Sequence, residues 1–446
     1  MRFKRSLIIF VLAAELSVML LSSMFIFRRM PNTEFMKEYG RINESKINTP
    51  FKIPNNEINN YAREKIKVAF NEYWSHCRYS DYYKPLSGTC SNSSGLSLSL
   101  FAFLDALYLA NLTYEYTLAS NFVLNQVRPS QSNYISTYEL GTTVIGSLLG
   151  IYGISGEDLF LKKAVEFADL LLKSFVGPIP HPFIDGTNKK PKGLGFTEGT
   201  FLGESSGFLL EFAVLDMLTK DERYQKPIYD YIDCVSKYSK NISYGIWSTK
   251  ECKPLIQSDK FMQLRSSFYI NFLKISDMFK PAVRQKILDQ FYDPLNNIQF
   301  QSRADEDYKY AYYSESLCEI FSLKSEGFDV NRLYSMKSMC DCMRRQSLPA
   351  SYMGREQVFN FDSSMIAEDF NRSISLEQVK KLECGNVICS LSSISNKYLD
   401  DLMPSLGISR WLKFLLLRNA TDSGYSFIMN DAGFLLPVTH EYMFNL

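Results

Sequence analysis

The chain has 446 residues, with 49 Lys plus Arg against 48 Asp plus Glu, giving a formal net charge of +1. That balance gives no support to a nucleic-acid partner, which is usually met by a basic face or stripe. With 46% hydrophobic and 22% charged residues the chain has ordinary globular composition. Its three histidines, His76, His181 and His440, lie far apart, and no HExxH or CxxC spacing occurs. A histidine-rich zinc centre is therefore disfavoured.

Residues 6–27 form an apolar run broken only by Glu15 and a few serines. A run of this length can span a bilayer as a helix. Arg2, Lys4 and Arg5 precede it, and Arg28 and Arg29 follow. This bias favours residues 1–5 as a cytoplasmic tail and the remainder as lumenal, a single-pass type II arrangement. Glu15 costs about 3 kcal/mol at mid-membrane, which its apolar neighbours can outweigh. The alternative is a cleaved signal peptide, for which Arg28-Arg29 is a poor cleavage context. Either way the chain enters the secretory pathway. Sequons at Asn43, Asn92, Asn111, Asn241, Asn371 and Asn419 agree with a lumenal surface. Nine cysteines in an oxidising compartment should pair in part, and the odd count leaves at least one unpaired within the chain.

Residues 28–55 are read as a polar stem, and residues 56–446 as the lumenal body. In the body the apolar period is helical, and few runs alternate as strands do. Residues 64–74 place Ile66, Ala69, Phe70 and Tyr73 on one helical face. Residues 98–112 are almost wholly apolar and predict a buried helix. Further helices are expected over 137–152, 160–175, 203–218, 224–238, 261–279, 281–291, 310–323, 331–345, 376–384 and 410–418. Residues 177–196, rich in Pro, Gly and Lys, predict an ordered surface loop.

The connectors repeat. Ile154-Ser155-Gly156-Glu157-Asp158-Leu159-Phe160 and Leu218-Thr219-Lys220-Asp221-Glu222-Arg223-Tyr224 share one pattern: apolar, hydroxyl, any, two acidic, any, aromatic. The hydroxyl or acidic residue is expected to cap the second helix, and the aromatic to staple its first turn. Leu112-Thr113-Tyr114-Glu115-Tyr116 is a shorter copy and Ser395-Asn396-Lys397-Tyr398 a degenerate one. Repeated helical hairpins stack into a solenoid or close into an α/α toroid. A toroid buries its inner helices on both sides, which suits residues 98–112, and loops at one end would line a central cavity.

Thr137-Tyr138-Glu139-Leu140-Gly141-Thr142-Thr143-Val144-Ile145-Gly146-Ser147-Leu148-Leu149 resembles glycoside hydrolase family 47, the class I α-1,2-mannosidases. So does Gly203-Glu204-Ser205-Ser206-Gly207-Phe208-Leu209-Leu210-Glu211-Phe212 with the connector that follows it. Weaker matches are Lys67-Val68-Ala69-Phe70-Asn71-Glu72-Tyr73-Trp74, Leu104-Asp105-Ala106-Leu107 and Ser423-Gly424-Tyr425-Ser426. The resemblance runs in order over roughly residues 60–446 and is most specific over 137–240. It implies an all-α fold, an (α/α)7 barrel, complete or incomplete at the C-terminus, behind an N-terminal membrane anchor. It also implies residence in the endoplasmic reticulum or Golgi. The implied activity is inverting hydrolysis of terminal α-1,2-linked mannose on high-mannose N-glycans, with a Ca2+ ion holding sugar hydroxyls.

Carried onto this sequence, the resemblance makes Glu139 a catalytic acid. Glu204 and Arg265 become sugar-binding residues, and Glu377 the further catalytic carboxylate. Glu441 matches the acidic start of the family's last helix and is read as substrate-binding, or Thr439-His440-Glu441 is a shortened calcium turn. The implied disulfide is Cys318–Cys340. The chain departs from the pattern where Thr143 stands for an arginine and Ser266 for the family's second catalytic Asp. Serine cannot serve as a carboxylate base at neutral pH. The alternative function is therefore an inactive relative that binds mannose glycans as a lectin or quality-control factor.

Each residue also has a plainer reading. Glu139 and Glu204 could be structural ion pairs. Glu377, beside Lys380 and Lys381, could lie on an exposed helix face. Asp105 reads as a fold-holding acceptor rather than a catalyst. Cys340-Asp341-Cys342 reads as one disulfide plus one free thiol rather than a metal site.

Overall fold

The computed structural model describes residue 42 and residues 49–238, 245–257, 376–389, 407–417, 427–430 and 432–438, with isolated positions at 271, 275, 278, 279, 399, 401–405 and 420. The apolar run 6–27, most of the stem, the helices expected over 281–345 and the connector at 395–398 lie outside the described residues. So do Arg265, Ser266, Cys318, Cys340 and Glu441. No helix of the described residues is long and apolar enough to cross a membrane.

Helix α1 (Glu57–Cys77) starts where the Asn56 side chain accepts the Asn59 amide, and it buries Ala62, Ile66, Ala69, Phe70 and Tyr73. This is the face set by the apolar period. Helix α2 (Leu98–Leu109) is buried at every residue, so it must be surrounded by protein. Helix α3 (Thr113–Asn125) packs back against it. Next comes a continuous helical rod: α4 (Thr137–Glu139), a π-helical turn (Leu140–Ile145) and α5 (Gly146–Ser155). Helix α6 (Asp158–Leu172) returns along α5. After a looped stretch come α7 (Leu202–Ser205), α8 (Leu209–Thr219) and α9 (Gln225–Ser236).

These elements sort into two layers. Helices α2, α5 and α8 are buried nearly all round, whereas α1, α6 and α9 show one buried face. Within the inner layer α2 packs on α5 and α5 on α8. Sequence neighbours supply the outer layer: α3 on α2, α6 on α5 and α9 on α8. The chain then comes back to its start. A second π-helical turn (Gly407–Leu412) packs on α2, and α11 (Lys413–Leu417) on α1. The short helix α10 (Leu376–Lys380) precedes them. An inner ring wrapped by an outer one is the α/α arrangement that the hairpin repeat predicts.

The repeated connector has one physical basis. Ser155 and Thr219 each donate to the carbonyl four residues back, Ile151 and Leu215, both at 2.7 Å. Each oxygen also accepts the amide two residues on, Glu157 at 3.2 Å and Asp221 at 3.3 Å. Between them Gly156 and Lys220 adopt left-handed φ of 73° and 58° and close their helices onto Tyr152 and Asp216. Phe160 and Tyr224 are fully buried, as the staple requires. The expected cap differs at the first copy, where Glu157 makes no side-chain cap.

The fold is mostly helical rather than all-α. Five small antiparallel sheets occur among the described residues. They are β1 (Tyr82–Lys84) with β2 (Thr89–Ser91); β3 (Ile135–Ser136), β4 (Phe183–Asp185) and β5 (Lys190–Lys192); β6 (Gly199–Phe201), β7 (Gly245–Ser248) and β8 (Pro254–Gln257); β9 (Glu383–Cys384) with β10 (Val387–Ile388); and β11 (Phe427–Met429) with β12 (Leu435–Pro437). Strands of two to four residues are too short to display alternation, which is why the period misses them.

Hairpin β11–β12 lies along α5. Its Asn430 donates to the Thr142 carbonyl at 2.7 Å and to Glu211 Oε1 at 2.8 Å, and accepts the Ala432 and Phe434 amides. Asp105 of α2 meets Lys413 of α11 at 2.5 Å, both with no exposure. Burial pushes the Asp105 carboxyl up and the Lys413 ammonium down, while their mutual attraction opposes both shifts. Asp105 is thus the fold-holding acceptor that its apolar setting suggests. Disulfides join Cys77 to Cys90, Cys234 to Cys252 and Cys384 to Cys389.

Candidate active site

Glu139 is the last residue of α4, half-buried where the rod enters its π-helical turn. Strand β3 delivers the chain to this point, and Ser136 caps the helix by accepting the Glu139 amide at 3.3 Å. The backbone of this rod lies hard against the turn after α7. A Cβ on Gly141 would sit 2.0 Å from the Gly207 carbonyl oxygen, so no side chain fits there. Helices α4 and α7, which carry Glu139 and Glu204, are in contact.

Three hydroxyls surround the Glu139 carboxyl. Tyr82 donates to Oε1 at 3.0 Å, Ser94 to Oε2 at 2.6 Å, and Ser93 reaches both oxygens at 3.3 and 3.2 Å. No salt bridge reaches Glu139 among the described residues, so the ion-pair reading is not supported for it. Burial raises its carboxyl above the ordinary range; the three hydroxyls pull it back, and the neighbouring Asp81 charge adds to the rise. Tyr82 is itself pushed well up by burial and by Glu139, so it is a permanent donor.

Asp81 builds the loop that carries the two serines. Fully buried, it accepts the amides of Ser93, Ser94 and Gly95 on Oδ2 and those of Leu96 and Leu98 on Oδ1. Its carbonyl holds the Ser99 amide and hydroxyl at the start of α2. One carboxylate satisfying five amides fixes a loop that would otherwise carry orphan donors. The Cys77–Cys90 disulfide ties the strand before this loop to the end of α1.

Of the other expected site residues, Glu204 lies on α7 against α4, and Glu377 lies on α10. Glu204 is half-buried, and its carbonyl accepts the Gly207 amide. Glu211, two turns further on, is buried with Asn430 beside the π-helical turn of Glu139. Glu377 is exposed on α10 with Lys380 and Lys381, as the plainer reading has it. Thr143 is half-buried. Asp81, Tyr82, Ser93 and Ser94 were not legible as site residues. Their only local signal is a turn-rich Ser-Asn-Ser-Ser-Gly stretch before an apolar helix.

A cleft of about 390 Å³ opens elsewhere, among Pro129, Glu166, Asp169, Lys173, Lys189 and Arg223. It shares no residue with the Glu139 cradle, and Arg223 there pairs with Asp169 at 3.1 Å. The carboxyl of raised pKa makes the Glu139 cradle the better candidate.

Three comparisons bear on this arrangement. Glycosyl hydrolase family 47 matches residues 65–327. A mannosyl-oligosaccharide 1,2-alpha-mannosidase of Arabidopsis thaliana is 26% identical over 247 residues, covering 53% of this chain and 44% of that protein. The endoplasmic reticulum mannosyl-oligosaccharide 1,2-alpha-mannosidase of Homo sapiens is 29% identical over 178 residues, covering 38% and 25%. The chain thus spans less than half the length of these curated relatives. The solved alpha-1,2-mannosidase from Trichoderma reesei superposes with a TM-score of 0.63 at 14% identity, covering 87% of this chain and all of that one. That likeness shows the α/α barrel fold.

Proposed function

The chain belongs to glycosyl hydrolase family 47, and from that premise we propose that it removes terminal α-1,2-linked mannose from high-mannose N-glycans in the secretory pathway. The observation that carries this reading is the Glu139 carboxyl. It is half-buried, unpaired by any cation among the described residues, and held above the ordinary range by burial. A carboxyl raised in this way holds its proton to higher pH than a free one, and can hand it to the departing glycosidic oxygen. The hydroxyls of Tyr82, Ser93 and Ser94 aim it and then stabilise the carboxylate left behind.

Inversion needs a second carboxyl group about 6.5–9.5 Å away to activate water. Glu377 is the sequence candidate, though its exposure argues for a surface role. Glu204 and Arg265 are assigned to the sugar hydroxyls, and Glu441 to the same task. Ser266 at the family's Asp position and Thr143 at its arginine position favour a glycan-binding relative without turnover. Calcium belongs to the proposal only as an aid to sugar binding. Thr439 to Glu441 lie outside the described residues. Among the described residues no group of three or more His, Cys, Asp or Glu could hold a metal.

Three disulfides among the described residues support an oxidising compartment, in keeping with the reticulum or Golgi lumen. Residues 6–27 would anchor the chain there. The test is mannose release from a high-mannose glycan by the full chain, with and without calcium, alongside Glu139→Gln. Release abolished by Glu139→Gln supports the hydrolase. Binding without release by the parent chain supports the lectin-like relative, and neither removes sugar chemistry from the account.

A further inference from the structure

The sheet β3–β4–β5 has two unlike faces. Ile135 and Ile184 are paired partners with no exposure, and they point into the core. On the opposite face the register puts Ser136 opposite Phe183, and Phe183 opposite Lys192. Tyr134 belongs to this outer face, two residues before Ser136. Its ring stacks on Phe183 with centroids 4.2 Å apart and planes 25° apart, yet Tyr134 keeps 45% exposure. Lys192 Nζ lies 5.9 Å from the Tyr134 centroid and donates to the Asn133 carbonyl at 2.5 Å.

A single exposed tyrosine is unremarkable on a protein surface. This ring differs because it is backed by a second ring, braced by a cation and placed just before the edge strand β3. Phe183 takes one face, so the ring is held flat while it stays exposed. The strand also leads straight into the candidate active site. The Ser136 amide donates to Ser94 Oγ at 3.3 Å, and that oxygen donates to Glu139 at 2.6 Å. One residue therefore joins the aromatic face to the reacting carboxyl.

We propose that the stacked pair Tyr134 and Phe183 on the outer face of β3–β4 is a second carbohydrate subsite. It holds mannose residues of the same oligosaccharide beyond the linkage at Glu139. A pyranose presents a face of weakly positive C–H bonds, which complements the negative face of an aromatic ring. Lys192 and the Tyr134 hydroxyl supply polar partners for ring hydroxyls at the edge of the platform. An oligosaccharide fits as occupant because β3 carries Tyr134 just before its start and leads into Glu139 just after its end. This subsite rests on the reading of Glu139 as the reacting carboxyl.

The experiment uses the full chain carrying Glu139→Gln, so that nothing turns over, and two probes, α-1,2-mannobiose and a linear α-1,2-linked mannotetraose. Tyr134→Ala should weaken the tetraose about tenfold by calorimetry and leave the disaccharide unchanged. Tyr114→Ala, an exposed tyrosine on α3, should change neither. A Tyr134→Trp reporter should shift its emission with the tetraose and not with the disaccharide. Unchanged tetraose affinity in Tyr134→Ala, a silent reporter at high tetraose, or an equal response to both sugars each overturns the subsite. Mannose release by the parent chain is read separately. Its absence would sink the hydrolytic reading, while a tetraose-specific reporter shift would still establish the platform.

Discussion

Ser94 donates its hydroxyl to Glu139 across 2.6 Å, and the same oxygen accepts the amide of Ser136 three residues upstream of that carboxyl. The loop and the helix are thus clamped through one atom. Because the Ser94 hydrogen bond favours the ionised form, it lowers a carboxyl that burial raises. Ser94→Ala should therefore push Glu139 further up and move the alkaline limb of kcat/KM for mannose release to higher pH. A limb that stays in place, or moves down, would show that Glu139 does not govern it.

The same burial makes Glu139 a weakness in the fold. A carboxyl whose folded value is raised contributes stability below its unfolded value, and loses it as pH rises through the folded value. Once ionised, the desolvated group works against folding. Relative to the parent chain, Glu139→Gln should be more stable at pH 7 than at pH 4. It should also cut mannose release by about a hundredfold or more. Denaturation midpoints at the two pH values decide the matter; a relative stability that does not rise between them contradicts the argument.

The buried pair Asp105 and Lys413 should behave as a unit. Lys413→Met alone leaves an unpaired carboxyl in the inner ring and should cost about 3–5 kcal/mol. The double variant Asp105→Leu with Lys413→Met should recover most of that loss. Urea unfolding of the two single variants and the double one gives the coupling. Losses that simply add would refute it.

The Cys77–Cys90 bond closes a loop across a sequence separation of 13. Replacing both residues by serine should cost about 3 kcal/mol on the chain-entropy account. The loop it anchors carries Ser93 and Ser94, so mannose release should fall with it. A non-reducing peptide map should recover the three pairs Cys77–Cys90, Cys234–Cys252 and Cys384–Cys389. Any other partner for Cys90 would falsify the loop geometry.

Much of the fold is legible in the sequence because it is written in short-range terms. Ile66, Ala69, Phe70 and Tyr73 repeat at helical spacing and share a buried face. Ser155 and Thr219 stand at equivalent places in two connectors and make the same two hydrogen bonds. Glu139 attracts notice as a charge in an apolar setting. Its partners do not, since Tyr82, Ser93 and Ser94 lie 45 to 57 residues away and meet it only once α2 is packed. Glu211 has the same signal as Glu139, but its partner Asn430 lies 219 residues away. Lys380 and Lys381 beside Glu377 foretell an exposed surface as readily as a site. Helix α3 hides because its copy of the connector begins the helix at Thr113 itself.

The return of the C-terminal segment to the first helix sets a timetable for synthesis. Asn59 of α1 donates to the Leu416 carbonyl, 357 residues away in sequence. Asp105 waits 308 residues for Lys413. At about 5–20 residues per second, a ribosome takes about 15–60 s to bridge the second gap. Throughout that interval α2 has been made, yet one flank of the inner ring is open and its carboxylate lacks its counter-ion. The nascent chain must therefore be held in a partly assembled state, with apolar surface uncovered, until residues 413–417 emerge.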